Sequence, residues 1–147
     1  MAFGILDLKA AARSFVLGAR IGHLATAAPN GAPHVVPVCF ALAGDRVYIA
    51  LDEKAKSVQP RELRRVRNLL ANPRVQLVVD RYDEDWRRLG FVQLSGTASL
   101  IEGGEEHAAA VAALRDKYPQ YRSMSLESRP VIRIEVARVT AWGDLSS

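Results

Sequence analysis

The chain has 147 residues, 49% of them apolar and 24% charged, the size and balance of one globular domain that fills its core without disulfides or metals. Its formal charge is +4, and the stretch from Asp52 to Arg74 carries all of that excess, with Lys54, Lys56, Arg61, Arg64, Arg65, Arg67 and Arg74 set against three acidic residues. Charge gathered in one segment points to a local site for an anion and argues against a basic face for long nucleic acid. The single cysteine, Cys39, can form no internal disulfide. The first residues, with Asp7 and Lys9 among short apolar runs, read as neither a secretion signal nor a membrane span, so a cytoplasmic protein with no membrane partner is expected.

Phe3 to Gly18 is predicted as an opening helix, with Ile5, Leu8, Ala12 and Phe15 at helical spacing and Gly18 as its stop. Ile21 to Ala27 reads as a strand. The turn Ala28-Pro29-Asn30-Gly31-Ala32-Pro33 follows, where Asn30-Gly31 suits the positive φ angles of a tight hairpin. His34 to Leu42 is the return strand, with Cys39 a small buried residue on it. Ala43-Gly44-Asp45 turns into a third strand, Arg46 to Leu51, and these three strands read as a meander. After a polar loop from Asp52 to Gln59, Pro60 suits the first turn of a helix from Arg61 to Ala71, which Asn72-Pro73 ends. Val75 to Val79 is a buried strand, Asp80 to Arg88 a charged loop, and Phe91 to Ile101 a strand in which Gly96 marks a bulge or a close approach. Glu105 to Lys117 is an alanine-rich helix, Pro119 to Arg129 a loop, and Val131 to Ala141 the last strand. There Ile132, Ile134 and Val136 face one way, and Arg133 and Glu135 the other. The order lacks the βαβα alternation of a doubly wound sheet. The expected fold is mainly β with helices (α+β): a single domain, residues 1–147, built as a six-stranded antiparallel β-barrel with helices at its ends.

No G-x-S-x-G turn, P-loop, G-x-G-x-x-G or C-x-x-C is present. His23, His34 and His107 lack metal-ligand spacing, so no metal site is expected. His23 and His34 read as strand histidines with ordinary hydrogen bonds, brought near each other across the first hairpin. His107 reads as solvent-facing. No catalytic side chain can be named, and an organic cofactor is left to supply any chemistry. Arg61, Arg64 and Arg65 share one face of the expected helix at i, i+3 and i+4. With Lys54 and Lys56 they form either a phosphate-sized anion site or a solvated basic face. No base-stacking aromatics interleave with the arginines, which argues against nucleic acid.

The stretches GHLATAAPNGAPHVVPVCF, DRVYIALDEKAKS and LRRVRNLLANPRVQLVVDRYDEDW together resemble the split β-barrel superfamily of flavin and deazaflavin oxidoreductases. That superfamily includes pyridoxamine 5′-phosphate oxidase and a narrower subgroup described as coenzyme F420-dependent. The resemblance covers Ile21 to Ala98 well and the final strand with Trp142 more loosely. It implies a split barrel that forms a homodimer, with the cofactor in a groove between subunits. It also implies an oxidoreductase that transfers hydride to a conjugated small-molecule acceptor. The implied cofactor is coenzyme F420, with flavin mononucleotide (FMN) as the alternative; a non-catalytic flavin- or haem-binding module is a further one. By the same resemblance Arg65 stands where many relatives place a phosphate-binding lysine, and Lys54 and Lys56 lie in the loop that reaches the same phosphate. Val36, Pro37 and Val38 match the strand whose backbone faces the ring, and Ile49, Ala50 and Leu51 the edge beside it. Trp86 closes the pocket across the dimer or packs at the interface, and Asn68 braces its helix rather than binding ligand. The surplus arginines Arg61, Arg64, Arg67 and Arg81 favour the deazaflavin, whose tail adds negative charge. Pyridoxamine phosphate oxidase activity itself is not expected, because those enzymes carry substrate-binding residues in a longer C-terminal segment.

Overall fold

Alternation of apolar and polar residues writes most of the sheet. In the strand Arg74–Arg81 the side chains of Val75, Leu77 and Val79 are buried while Arg74, Gln76 and Asp80 are exposed, the period of two that half-buried strands require. The computed structural model describes residues 2–3, 10–51 and 59–147. Its strands are β1 (Ala2–Phe3), β2 (Gly22–Ala27), β3 (Pro33–Val38), β4 (Ala41–Ala43), β5 (Arg46–Ala50), β6 (Arg74–Arg81), β7 (Gly90–Ile101) and β8 (Val131–Gly143). They form one antiparallel sheet in the order β3-β2-β6-β7-β8-β5-β4, with β1 beside β8. Three helices accompany it among the described residues: α1 (Ala10–Gly18), α2 (Arg64–Ala71) and α3 (Glu105–Lys117).

All six expected strands are present, but the expected strand His34 to Leu42 is two strands, β3 and β4, at opposite ends of the sheet. One strand cannot pair at both edges, so the chain leaves the sheet at Cys39 and Phe40 and re-enters it on the other side. The expected meander is therefore two hairpins, β2-β3 and β4-β5, and β3 does not pair with β5. Cys39 sits in this link rather than on a strand, and is half-buried. Val38 and Ala41 are three residues apart, a reach of no more than about 11 Å. The two edges of the sheet must therefore come together, and the sheet curls into a barrel.

The link is held by the end of α3. Tyr118 Oη accepts the Phe40 N–H at 3.0 Å and lies 3.0 Å from the Phe40 carbonyl, to which it can donate. Lys117 Nζ donates to the same carbonyl at 2.9 Å and stands 3.8 Å over the Phe40 ring. Backbone groups that no strand satisfies thus find partners in side chains.

The barrel core gathers Leu24, Phe40, Ile49, Leu51, Leu77, Leu94, Ile132 and Ile134. Val16 of α1, and Val66 and Leu69 of α2, complete it. A second cluster joins the outer side of β5 to α3 through Tyr48, Ala50, Ala110, Val111 and Leu114, which is why Val47 to Leu51 are buried without alternation. Glu106 of α3 pins this layer: it accepts Tyr48 Oη at 2.7 Å, Arg46 Nη1 at 3.0 Å and Arg133 Nη1 at 2.8 Å. Those bonds, the tyrosine's first, hold its carboxyl below the usual range.

The opening helix begins, among the described residues, at Ala10 rather than Phe3; Phe3 lies in β1, and Ile5 and Leu8 fall outside the described residues. The second helix starts at Arg64, because Leu63 is extended (φ −62°, ψ 140°) and Pro60–Glu62 form a separate 3-10 turn. The expected loop from Asp80 is shorter, since β6 runs on to Arg81. In the first hairpin only Gly31 takes a positive φ (88°), while Asn30 instead accepts the Ala32 N–H at 3.0 Å. Gly96 does mark a bulge: Gly96 pairs with Val136 and Ser95 with Arg138, leaving Ala137 as the extra residue. A Cβ on Gly96 would stand 2.0 Å from the Glu135 carbonyl oxygen.

Tyr118→Phe removes the hydroxyl that serves both backbone groups of Phe40, and should destabilise the fold by about 1–3 kcal/mol in denaturant unfolding; an unchanged midpoint would contradict the role given to it. Burial, then the nearby Arg20 charge, holds the Lys117 ammonium down to about 8. Its folded value lies below the unfolded one, so the unfolded chain binds more protons between the two and stability gains as pH rises from about 8 towards the free lysine range. The melting temperature of the wild type minus that of Lys117→Met should therefore rise between pH 8 and 10, and a flat difference would contradict the burial of this charge.

Candidate functional site

Curling leaves the barrel split. β3 ends the sheet on one side, so one of its edges carries no strand. β4 ends it on the other, but its register with β5 stops at Ala41 opposite Tyr48, so among the described residues no strand covers Ile49, Ala50 and Leu51 on that side. Since β3, the link and β4 follow one another and β5 runs back antiparallel, this uncovered stretch returns along β3. The result is a slot in the barrel wall with two backbone lips, residues 36–38 and 49–51. Free edges of this kind present N–H and C=O groups to whatever enters.

The side chains explain why backbone is what the slot offers. Val38, Ile49 and Leu51 are buried in the barrel core and Ala50 lies beneath α3. Val36 is half-buried against the core, and Pro37 alone is exposed.

α2 packs against β2 and β3 next to this slot. Asn68, only 4% exposed, donates through Nδ2 to Thr26 Oγ1 at 3.0 Å, so it braces the helix on β2. His34 is the cross-strand partner of Thr26 and shares its inward side. Its Nδ1 is buried and has no hydrogen-bond partner among the described residues. A buried polar atom left unmatched is costly unless something completes it.

The basic residues are less united than their spacing suggests. Because Leu63 breaks the helix, Arg61 belongs to the preceding turn and pairs with Glu102 at 2.7 Å. It shares no helical face with Arg64 and Arg65. Arg65 is half-buried; Arg64 and Arg67 are exposed, with no ion pair among the described residues. Arg81 is spent elsewhere, its guanidinium donating to the carbonyls of Arg88, Asp144 and Ser146. Lys54 and Lys56 lie outside the described residues.

Trp86 is 70% exposed and lies beyond the end of β6 that points away from α2. It belongs to an aromatic patch. Its Nε1 lies 3.4 Å from Tyr82 Oη, and nearby Phe91 stacks on Trp142 with ring centres 5.7 Å apart. Tyr82, Phe91 and Trp142 line a groove of about 330 Å³ with Val78, Leu89 and Gln93.

Two histidine expectations fail. His23 pairs with Pro37 and His34 with Thr26; they stand three rows apart on opposite faces of the sheet and cannot act together. His107 is buried at 5% exposure, its ring bonded through Nε2 to the Arg129 carbonyl at 2.7 Å, because this side of α3 packs on the sheet. The unmatched Nδ1 of His34 is what the sequence reading missed. Its signal was the inward register His34 shares with Val36 and Val38.

The amide edges of the slot, with a half-buried guanidinium on the neighbouring α2 and, further along β3, a His34 Nδ1 without a partner among the described residues, are a set that fits a planar ligand bearing an anionic group. Among the described residues no cluster of His, Cys, Asp and Glu could hold a metal ion. No helix among them is long and apolar enough to cross a membrane.

No curated protein matches the chain. Among solved structures the fold is similar to a haem-binding protein from Mycobacterium smegmatis, 25% identical with a TM-score of 0.70, covering 95% of this chain and 56% of that one. It is similar to an F420 reductase, 21% identical with a TM-score of 0.64, covering 90% of this chain and 98% of that one. A FAD-binding protein from Mesorhizobium loti is 21% identical with a TM-score of 0.67, covering 96% of this chain and 95% of that one. The family model for pyridoxamine 5′-phosphate oxidase matches residues 8–143. With this match over most of its length and a split antiparallel barrel among the described residues, the chain belongs to the pyridoxamine 5′-phosphate oxidase family.

Proposed function

We propose that the protein is a coenzyme F420-dependent oxidoreductase that works as a homodimer, with FMN as the alternative cofactor and the slot between β3 and β5 as the binding site. The observation that carries this reading is the slot itself: two unpaired backbone edges beside a helix that presents arginines. The lips hydrogen-bond the polar edge of a flavin-like ring, and their rigidity comes from Ile49 and Leu51, whose side chains are locked in the core. Pro37 has no N–H, so at that position the β3 lip offers only its carbonyl. Arg65 holds the phosphate with Lys54 and Lys56, while His34 Nδ1 is placed to complete a polar contact from below. Arg61 keeps its Glu102 partner and shapes the rim.

Arg64 and Arg67 support the deazaflavin over FMN, since they are exposed cations on α2, without an ion pair among the described residues, that could meet a tail with further negative charges. When bound, the deazaflavin supplies transfer of a hydride, two electrons at once, to a conjugated small-molecule acceptor. The chain's own part is binding, orientation and exclusion of water. Trp86, exposed beyond the end of β6, is the residue assigned to closing the pocket across the dimer. For the haem-binding alternative, His107 is not placed as an axial ligand, since it is buried and bonded to the Arg129 carbonyl.

Titrating the purified protein with coenzyme F420 and with FMN, followed by fluorescence, tests the reading. Tight binding that prefers the deazaflavin is expected, and Arg65→Ala should weaken it by about 1.5–3 kcal/mol, the range of a charged hydrogen bond. Preference for FMN would move the cofactor assignment. Binding of neither, or unchanged affinity in Arg65→Ala, would contradict the site.

A further inference from the structure

The groove between Tyr82 and Trp142 shares no residue with the slot, and its charge is of the opposite sign. One row of the sheet forms its wall. Asp80 of β6 lies opposite Phe91 of β7, and Phe91 lies opposite Trp142 of β8. Residues in one row stand on the same face. Here it is the outer face, since the flanking Val79 and Val92 are buried in the core. The Phe91 and Trp142 rings lie 25° from parallel, and cross-strand aromatic pairs of this kind hold each other in place. Tyr82 and Trp142 are 65% and 54% exposed. Val78 and Gln93, paired with each other, form the next row of the lining.

The charges around these rings leave one carboxylate over. The protein carries +4 in all, yet here Asp80, Asp83, Glu84, Asp85 and Asp144 outnumber Arg81, Arg87 and Arg88. Arg81 pairs with Asp144 at 3.6 Å, Arg87 with Asp85 at 2.9 Å and Arg88 with Asp83 at 3.8 Å. Glu84 accepts from the Tyr82 hydroxyl at 3.3 Å. Arg81 borders the groove, but its guanidinium is spent on three carbonyls and stands 5.6 Å from the centre of the Phe15 ring of α1. Asp80 is exposed, lines the groove, and has no side-chain hydrogen bond or ion pair among the described residues.

We propose that this groove binds a planar organic cation, a ligand of one or two rings with a fixed positive charge, such as an N-alkylated heteroaromatic. The faces of aromatic rings are electron-rich and attract a cation laid against them. Asp80, at the end of the same row, adds a full negative charge that no cation of the described chain has taken up. A volume of about 330 Å³ lies at the small end of ligand pockets, which sets the size of the ligand. The same features turn other occupants away. An anion meets both Asp80 and the electron-rich ring faces, and an uncharged ring leaves Asp80 unanswered. The inference goes beyond the cofactor reading and stands or falls without it.

The test titrates the full chain, free of cofactor, with three two-ring probes of similar shape and different charge: N-methylquinolinium, quinoline (uncharged at neutral pH) and 1-naphthoate. By calorimetry the cation should bind at least about tenfold more tightly than quinoline, and naphthoate more weakly still. Both tryptophans of the chain, Trp86 and Trp142, belong to this patch, so their fluorescence should quench to saturation with the same affinity. Asp80→Asn keeps the shape of the side chain. It should weaken binding of the cation about tenfold and leave quinoline unchanged, a result that no folding defect gives. Trp142→Leu should weaken both. No binding of the cation, equal affinity for cation and quinoline, or cation binding unchanged in Asp80→Asn would each overturn the proposal. Tighter binding of naphthoate would overturn it in favour of an anion site. With cofactor absent throughout, none of these results decides whether the slot binds coenzyme F420.

Discussion

Two residues, Cys39 and Phe40, carry the chain from one edge of the sheet to the other. So short a link can exist only if both edges meet, so it forces the sheet to close, and closure in turn creates the core that Phe40 itself fills. The link lies outside both strands, and its backbone would be buried without partners but for Tyr118 and Lys117. The position of α3 follows from that need as well as from its apolar contacts with β5. The slot is a product of the same geometry, because β4 is too short to cover the end of β5.

The slot explains how a chain with no recognisable catalytic constellation can still carry a specific site. Backbone edges are donors and acceptors whose positions the sheet fixes, so they cost little further ordering when a ligand binds. The charged side chains are sorted by role. Glu106, Glu102 and the carbonyls of the last residues absorb Arg46, Arg133, Arg61 and Arg81 into structure. Arg64 and Arg67 on α2, Arg74 on β6 and Arg138 on β8 are exposed and have no ion pair among the described residues.

Much of this was legible in the sequence wherever local pattern and final environment agree. The period of two in Val131 to Ala141 gave the last strand, and Gly96 gave the bulge because only a residue without Cβ tolerates the approach of Glu135. Asn68, a polar residue on the apolar side of its helix, was read as a brace and is one. The misses are places where a distant element decides. The apolar run from His34 to Leu42 continues without interruption through the crossover, so no local signal marks the edge change. Leu63 breaks its helix although its neighbours favour helix, and this separates Arg61 from Arg64. His107 looks like a surface residue of an alanine-rich helix until β5 and β8 pack beneath that helix. The lips of the slot came from family resemblance, since the residues that form them are ordinary strand residues and what matters is which edge stays unpaired.

Hydrogen–deuterium exchange with and without coenzyme F420 addresses the slot most directly. The account predicts new protection at those backbone amides within residues 35–38 and 49–51 that face the open edges, alternate residues along each strand, because bound ligand takes up edges that are otherwise open. Protection confined to the Tyr82–Trp142 groove, with both lips unchanged, would contradict it.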